Sequence, residues 1–291
     1  MPSAPVEEYR AAVDEPGVYQ LSDAAYHADP VPWGSLSNSG AKKLLPPSCP
    51  AKFRYELDHP PARKKEFEIG HAAHNLVLGD GPELVVVDRD RWDTNAVKAE
   101  VAEIRERGGV PLKRAEYDAV QAMATALRQH PYAGKLFEDG RPEQSLFWVC
   151  DDTGVWCRAR LDWLPNSRGN RLIVADYKTT DQADTESLRR DLYRYGYYRQ
   201  AAWYLDGIAH VWDSDCDHAF VFVCQEKTPP YLVNVIEPDA AALAAGRERN
   251  RTAREVYRDC KAADVWPGYA DDIELVSLPG WAPEARLQEV W

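Results

Sequence analysis

Three residues near the middle of the chain, Asp162, Asp176 and Lys178, have side chains and a spacing that could perform chemistry together. Residues 172–175 form a short apolar run rich in β-branched side chains, and the polar residues 166–170 precede it. This pattern predicts a strand buried on both faces with a turn before it. Side chains two residues apart in a strand lie on the same face. The strand is therefore expected to present a carboxylate and an ammonium group together at its end.

The preceding segment, residues 156–164, is also strand-like, and a turn centred on Gly169 would place Asp162 directly opposite Asp176. Directly opposed residues have Cβ atoms about 4.5–5.5 Å apart. Two carboxylates at that distance repel each other, above all where they are partly buried. A hard divalent cation with oxygen ligands removes this repulsion. The pair predicts a cation site; the alternative is a surface hairpin in which Asp176 only pairs with Lys178.

Other polar residues on predicted helices are candidates for the same site. Residues 66–78 show a helical pattern in which His71 and His74 share one stripe. A neutral imidazole can be a third metal ligand beside two carboxylates, and the alternative is a core histidine with an ordinary hydrogen-bond partner. Residues 185–210 are predicted to form one long helix, on which Gln200 and Tyr204 share a face.

The charge balance limits the function classes. The formal net charge is −12 and the isoelectric point is about 5.1. This argues against a general nucleic-acid coat protein, because phosphate binding requires Lys and Arg. The predicted 185–210 helix is an exception, with a basic side formed by Arg189, Arg190, Arg194 and Arg199.

Length and composition predict one large domain. The 291 residues include ten Trp and fifteen Tyr, enough apolar area for a sizeable core. We expect residues 1–18 to be poorly ordered and residues 19–291 to form a single domain. No apolar run approaches the roughly 18 residues of a membrane span, and there is no signal-peptide pattern, so we expect a cytoplasmic protein without a membrane partner. The six cysteines are scattered and expected to be reduced.

The order of these motifs resembles a known nuclease superfamily. Asp162, followed by an apolar strand ending in Asp176-Tyr177-Lys178, is similar to the PD-(D/E)XK pattern. The string Gly70-His-Ala-Ala-His-Asn-Leu-Val-Leu is similar to the segment that precedes the catalytic strands of RecE-like and RecB-like nucleases. The string Gln200-Ala-Ala-Trp-Tyr is similar to the Gln-x-x-x-Tyr motif that follows their catalytic lysine. We therefore identify the chain as resembling the RecE-like branch, which includes exonuclease VIII and lambda exonuclease.

The resemblance implies an α/β fold with a restriction-endonuclease-like core, in which a mixed central sheet is flanked by helices. It implies that His74, Asp162, Asp176 and the backbone carbonyl of Tyr177 hold Mg²⁺, with Mn²⁺ as a substitute. It also implies that Asp162, Asp176, His74 and Lys178 are catalytic. Glu143 matches an acidic position of many relatives, and its alternative is a simple surface glutamate.

The resemblance also implies an activity and partners. The expected activity is Mg²⁺-dependent hydrolysis of double-stranded DNA from its ends, 5′ to 3′, in phage-type recombination. Gln200 and Tyr204 are therefore expected to bind DNA, and the basic side of the same predicted helix adds Arg194 and Arg199 as expected DNA contacts. The expected partners are a ring of identical subunits and a single-strand annealing protein. We expect no iron–sulfur cluster, because the closely spaced cysteines of the relatives that carry one are lacking. The alternatives are a DNA-end-binding or scaffold protein with a weak or lost nuclease site, and a metal-dependent endonuclease.

Overall fold

The structure is a computed structural model that describes residues 12–59, 68–79, 81–89, 91–166, 171–212 and 217–279. Its strands are β1 (Gly17–Gln20), β2 (Leu36–Ser37), β3 (Leu84–Val86), β4 (Val110–Leu112), β5 (Gly140–Val149), β6 (Trp156–Pro165), β7 (Arg171–Thr180), β8 (Asp217–Glu226) and β9 (Val233–Ile236). Its helices are α1 (Asp23–His27), α2 (Asn38–Lys43), α3 (Pro50–Asp58), α4 (Glu68–Leu78), α5 (Asn95–Glu106), α6 (Arg114–Gln129), α7 (Ala133–Leu136), α8 (Thr185–Arg194), α9 (Tyr197–Val211) and α10 (Ala240–Ala263).

Seven of the described strands form a mixed central sheet, and β3 and β4 pair in a separate two-stranded sheet. Six of the seven lie side by side in the order β1-β5-β6-β7-β8-β9, and the short β2 pairs in parallel with β6. The β7–β8 pair is parallel, whereas the neighbouring pairs β6–β7 and β8–β9 are antiparallel. A parallel pair requires a crossover connection, and α8 and α9 supply it. The predicted α/β fold with a mixed sheet flanked by helices is confirmed.

Each face of the sheet contributes to its own core layer. On β7, Val174 packs in one layer with Trp203 of α9. Its neighbour Ala175 packs in the opposite layer with Met123 of α6. Successive side chains of a strand point to opposite faces, so an apolar run without alternation fills both layers. The prediction of a strand buried on both faces at residues 172–175 is confirmed.

The single long helix predicted over residues 185–210 is wrong. Helix α8 ends at Arg194 and α9 begins at Tyr197. Gly196, between them, has a φ of 67° and donates its N–H to the carbonyl of Tyr193. Glycine adopts this left-handed conformation without the Cβ clash of other residues, so it commonly ends a helix. The carbonyl of Tyr195 accepts a hydrogen bond from Lys42 of α2, which fixes the junction against another helix.

Part of the segment that the sequence predicts to be poorly ordered belongs to the fold. Val13 is buried, and β1 pairs with β5 along its whole length. The expected boundary at residue 18 therefore falls inside a strand, and residues 1–11 lie outside the described residues. Within the described ranges, no helix combines the length and the apolar character that crossing a bilayer requires.

Candidate active site

Two carboxylates face each other on neighbouring central strands. In the antiparallel pair β6–β7, Trp163 lies opposite Ala175. Continuing this register by one residue brings Asp162 opposite Asp176. This is the register that a turn around Gly169 predicts, although Gly169 itself lies outside the described residues. The side chain of Asp162 accepts a hydrogen bond of 2.9 Å from the N–H of the residue that follows Asp176.

Glu143 lies beside Asp162 on the other neighbouring strand. The residues that flank Glu143 on β5 pair with the residues that flank Asp162 on β6. Glu143 has a φ of 54°, a left-handed conformation that costs roughly 1–3 kcal/mol outside glycine and is concentrated at functional sites. In this conformation its carboxylate forms an ion pair with Arg160 and lies 3.7 Å from Nδ1 of His74. Three carboxylates therefore lie at one level across β5, β6 and β7.

Helix α4 brings a histidine to the same point. Nε2 of His74 lies 3.1 Å from Oδ2 of Asp162. The preceding Ala72 and Ala73 are fully buried in the core layer below the sheet, and their small side chains allow the helix to approach closely. His71, the other candidate on this helix, belongs to the residues whose side chains are not described.

The third carboxylate is held by an ammonium group and an amide. Asp176 is 1% exposed. Its Oδ2 lies 2.5 Å from Nζ of Lys178, and its Oδ1 accepts a hydrogen bond of 2.6 Å from Nε2 of Gln200 on α9. Asp176 and Lys178 are close because they project from the same face of β7. Gln200 thus fixes the orientation of the carboxylate from the helix packed above it.

These groups shift one another's pKa. Burial raises the pKa of Asp176 to about 6, and the charge of Asp162 adds to this effect. Burial opposes ionisation of Asp162 as well, but the hydrogen bond and charge of His74 lower the pKa of this carboxyl. Burial opposes the ammonium form of Lys178, yet the charges of Asp176 and Asp162 raise its pKa. Lys178 is therefore a fixed cation beside these carboxylates.

A divalent cation fits the donor atoms of this cluster. His74, Glu143 and Asp162 each offer one ligand atom, and these atoms lie within 4.8 Å of one another. Carboxylate oxygens suit hard divalent cations such as Mg²⁺ and Mn²⁺, and an imidazole nitrogen is also a common ligand of other divalent metals. Oδ2 of the buried Asp176 has no well-formed hydrogen bond among the described residues, so it retains acceptor capacity beside its ion pair. The donor set therefore includes Glu143, for which the sequence left a simple surface glutamate as the alternative. Ligation by Asp176 and by the carbonyl of Tyr177 stays a prediction.

The four residues expected to bind DNA have different surroundings. Gln200 is buried against Asp176, and Tyr204 packs edge-on against Phe220. Arg199 is buried and donates a hydrogen bond to the carbonyl of Ala41, so its guanidinium points into the protein. Its interpretation as part of an exposed basic side therefore does not hold. Arg194 is exposed at the end of α8.

Two further basic residues lie near the site, and the first of them, Arg160, is not among the residues predicted from the sequence. Arg160 forms an ion pair with Glu143, and it precedes Asp162 by two residues on the same strand. That spacing was a usable signal, because residues i and i+2 share a face. Burial lowers the pKa of Lys42 to about 8, and the charges of Arg199 and Lys178 add to this effect. No sequence pattern connects α2 to β7, so this contact required the structure.

A cavity of about 590 Å³ opens beside Lys178. Its walls come from the end of β7, from α8 and the α8–α9 junction, and from the end of β8. Lys178, Arg190, Arg194, Tyr195 and Tyr197 are among the residues that line it. Of the residues of the cluster, Lys178 is the one that lines this cavity, on the side of α8.

Comparison with known families identifies this arrangement. The chain belongs to a family described as a PDDEXK-like domain of unknown function, which it matches over residues 37–279. The matched region contains all the residues of the cluster. The predicted membership of the PD-(D/E)XK superfamily is confirmed. No protein of curated function matches the chain.

One solved structure supports the fold. A protein from Eubacterium rectale, named provisionally as an exonuclease, superposes with a TM-score of 0.60 at 13% identity, covering 90% of this chain and 96% of the other. An alkaline exonuclease from Laribacter hongkongensis has a TM-score of 0.26 at 16% identity, covering 67% of this chain and 98% of the other. The first likeness shows a shared fold, and the second is too weak to carry an argument.

Proposed function

We propose that this protein is a Mg²⁺-dependent exodeoxyribonuclease that hydrolyses double-stranded DNA from its ends. The observation that carries the proposal is the row of Glu143, Asp162 and Asp176 across three strands, with His74 beside Asp162 and Lys178 beside Asp176. Membership of a PDDEXK-like family supports nuclease chemistry. The provisional name of the Eubacterium rectale protein agrees with the choice of an exonuclease.

The residues of the cluster have two proposed roles, which are to bind the cation and to stabilise charge on the phosphate. His74, Glu143 and Asp162 would hold the cation, with Asp176 at the edge of the site. A bound divalent cation supplies positive charge to the scissile phosphate and lowers the pKa of a coordinated water. Lys178, kept protonated by Asp176, presents a fixed positive charge to the phosphate, where preorganised charge stabilises the transition state. Gln200 keeps Asp176, and through it Lys178, in position.

The test is a cleavage assay on linear duplex DNA with separate labels at the 5′ and 3′ ends, with Mg²⁺ or with chelator. We expect Mg²⁺-dependent release of mononucleotides or short products from the 5′ label first, and no cleavage of a covalently closed circle. Cleavage of the circle would establish the endonuclease alternative instead. End binding without any cleavage, with Mg²⁺ or Mn²⁺, would favour the DNA-end-binding alternative and overturn the proposal.

The cellular setting follows from the same resemblance. We propose a cytoplasmic enzyme of phage-type recombination that assembles as a ring of identical subunits and hands its single-stranded product to an annealing protein. A ring would keep the enzyme on one DNA end through successive cleavages. Sedimentation or light scattering would measure the oligomer directly, and a monomer at micromolar concentration with processive cleavage would contradict the ring.

A further inference from the structure

A row of aromatic and basic side chains leads from Lys178 to the protein surface. The ring of Tyr197 lies 5.7 Å from Nζ of Lys178 and 5.5 Å from the ring of Tyr195. The guanidinium of Arg194 lies 5.5 Å from the centre of the Tyr195 ring. All four residues line the cavity beside the carboxylate cluster. The row is therefore continuous with the candidate active site.

Tyr195 of this row and Tyr193, which adjoins Arg194 in the chain, are open to solvent. Tyr193 is 80% exposed and Tyr195 is 49% exposed. The ring of Tyr193 is held nearly parallel to that of Tyr198, at an interplanar angle of 8° and a centroid distance of 6.3 Å. Exposed rings contribute little to the folded core, since most of their apolar area stays in water. Rings already fixed by neighbours lose little conformational entropy when a ligand stacks on them.

The positive charge at this surface is available to a ligand. Among the described residues, no carboxylate lies within 4.0 Å of the Arg194 guanidinium. Other basic groups nearby do have acidic partners: Arg189 pairs with Glu186, and Lys227 pairs with Asp181. An arginine that stacks on an aromatic ring and lacks an acidic partner suits a phosphate next to a stacked base.

We propose that this surface, formed by Tyr193, Arg194, Tyr195 and Tyr197, binds unpaired nucleotides of the DNA strand that enters the active site. The inference rests on the proposed nuclease function and specifies its substrate. Unpaired bases expose their faces and stack on aromatic side chains, whereas the bases of a duplex are already stacked on one another. The surface therefore selects overhanging or melted ends over blunt, fully paired ends.

The test compares DNA binding to one duplex that carries either a blunt end or a short overhang on either strand, in Ca²⁺. The first variant combines Tyr193→Ala with Tyr195→Ala, and the second combines Tyr193→Phe with Tyr195→Phe. The control variant is Tyr132→Ala, because Tyr132 is also half exposed but lies after α6. We expect the double alanine variant to lose roughly 5- to 100-fold in affinity for one overhang, as expected for lost base stacking. The double Phe variant and the control should bind like the wild type, and affinity for the blunt end should change less than about twofold.

Placing 2-aminopurine in the overhang provides a direct readout, because stacking on tyrosine quenches its fluorescence. Unchanged overhang affinity in the double alanine variant, or equal losses on blunt and overhanging ends, overturns the inference. If the double alanine variant fails to fold, the overhang affinity of the single variant Tyr193→Ala provides the test, because this side chain is 80% exposed. Cleavage in Mg²⁺ is measured separately: a wild type that binds overhangs through these tyrosines but does not cleave overturns the nuclease proposal and leaves this inference standing.

Discussion

At the scale of single residues, Lys178 is the group whose chemistry is best defined. Its ammonium is paired with Asp176, and the two carboxylates nearby keep it protonated. We expect Lys178→Ala to lower the cleavage rate by about 10²–10³-fold, the usual effect of removing one preorganised charge. The fold should survive, because Asp176, whose pKa is already raised to about 6, can take up a proton when its partner is lost.

Initial rates on end-labelled duplex, with circular dichroism as a check of the fold, measure this effect. Lys98→Ala is the matched control, since Lys98 is an exposed lysine on α5. A Lys178→Ala enzyme that cleaves within about twofold of the wild-type rate would show that the charge beside Asp176 has no part in catalysis.

His74 is predicted to be a metal ligand, which can be measured without activity. A cation that binds only the folded state stabilises it by about 2.7 kcal/mol at a hundred times its dissociation constant. Mn²⁺ should therefore raise the melting temperature of the wild type and of His27→Ala, a surface histidine on α1. It should raise that of His74→Ala much less. Equal Mn²⁺ stabilisation of all three proteins would rule out His74 as a ligand.

The residue scale also shows what a sequence can predict about the site. Asp162, Asp176 and Lys178 could be placed together because strand periodicity and a hairpin register fix which side chains face each other. Glu143 could not be placed by the same rules, since its left-handed backbone departs from the regular strand. The burial of Arg199 depends on α2 packing against α9, a contact between segments far apart in the chain.

At the scale of elements, the α8–α9 junction positions the tyrosines beside the active site. Gly196 adopts a φ of 67°, and a Cβ at this position would lie 3.2 Å from Cε of Lys42. Gly154 has the same φ, but a Cβ there would meet no atom within 4 Å. We expect Gly196→Ala and Gly154→Ala each to lose about 1–2 kcal/mol of unfolding free energy from the left-handed backbone.

Only Gly196→Ala should also weaken DNA binding, because it displaces Lys42 and the carbonyl of Tyr195 that Lys42 holds. Urea unfolding and overhang binding in Ca²⁺ separate the two effects. Equal losses of DNA affinity in both variants would mean that lower stability, and not the geometry of the junction, explains them.

The elements themselves were predictable where local pattern decides them. The central strands follow from apolar, β-branched runs bounded by polar turns. The break between α8 and α9 was not predictable, because a single glycine is tolerated inside many helices and the residues around Gly196 keep a helical pattern. Here the side chain of Lys42 stabilises the broken form, and that contact is visible only in the folded chain.

At the scale of the whole molecule, the segment that follows α10 packs against α3. Trp266 stacks on Phe53 of α3, and the N–H of Ala51 donates to the carbonyl of Pro267. The proposal that residues 19–291 form one domain is supported by these contacts, which join the region after α10 to the first helices. One domain then carries both the excess of acidic residues and the site for an anionic substrate.

The last prediction concerns how a chain with a net charge of −12 holds DNA. At physiological salt, charges more than about 8 Å apart at the surface are largely screened, so local contacts decide binding. Arg194 is free of an acidic partner among the described residues, whereas Arg189, on the same helix, pairs with Glu186. Each lost phosphate contact lowers the slope of log affinity against log salt concentration by about 0.7–0.9. We expect Arg194→Ala to weaken overhang binding in Ca²⁺ and to reduce this slope by about 0.7–0.9, the value of one phosphate contact. Arg189→Ala should leave the slope within error of the wild type. If Arg189→Ala reduces the slope as much as Arg194→Ala does, α8 attracts DNA through its total charge, and the specific phosphate contact assigned to Arg194 is wrong.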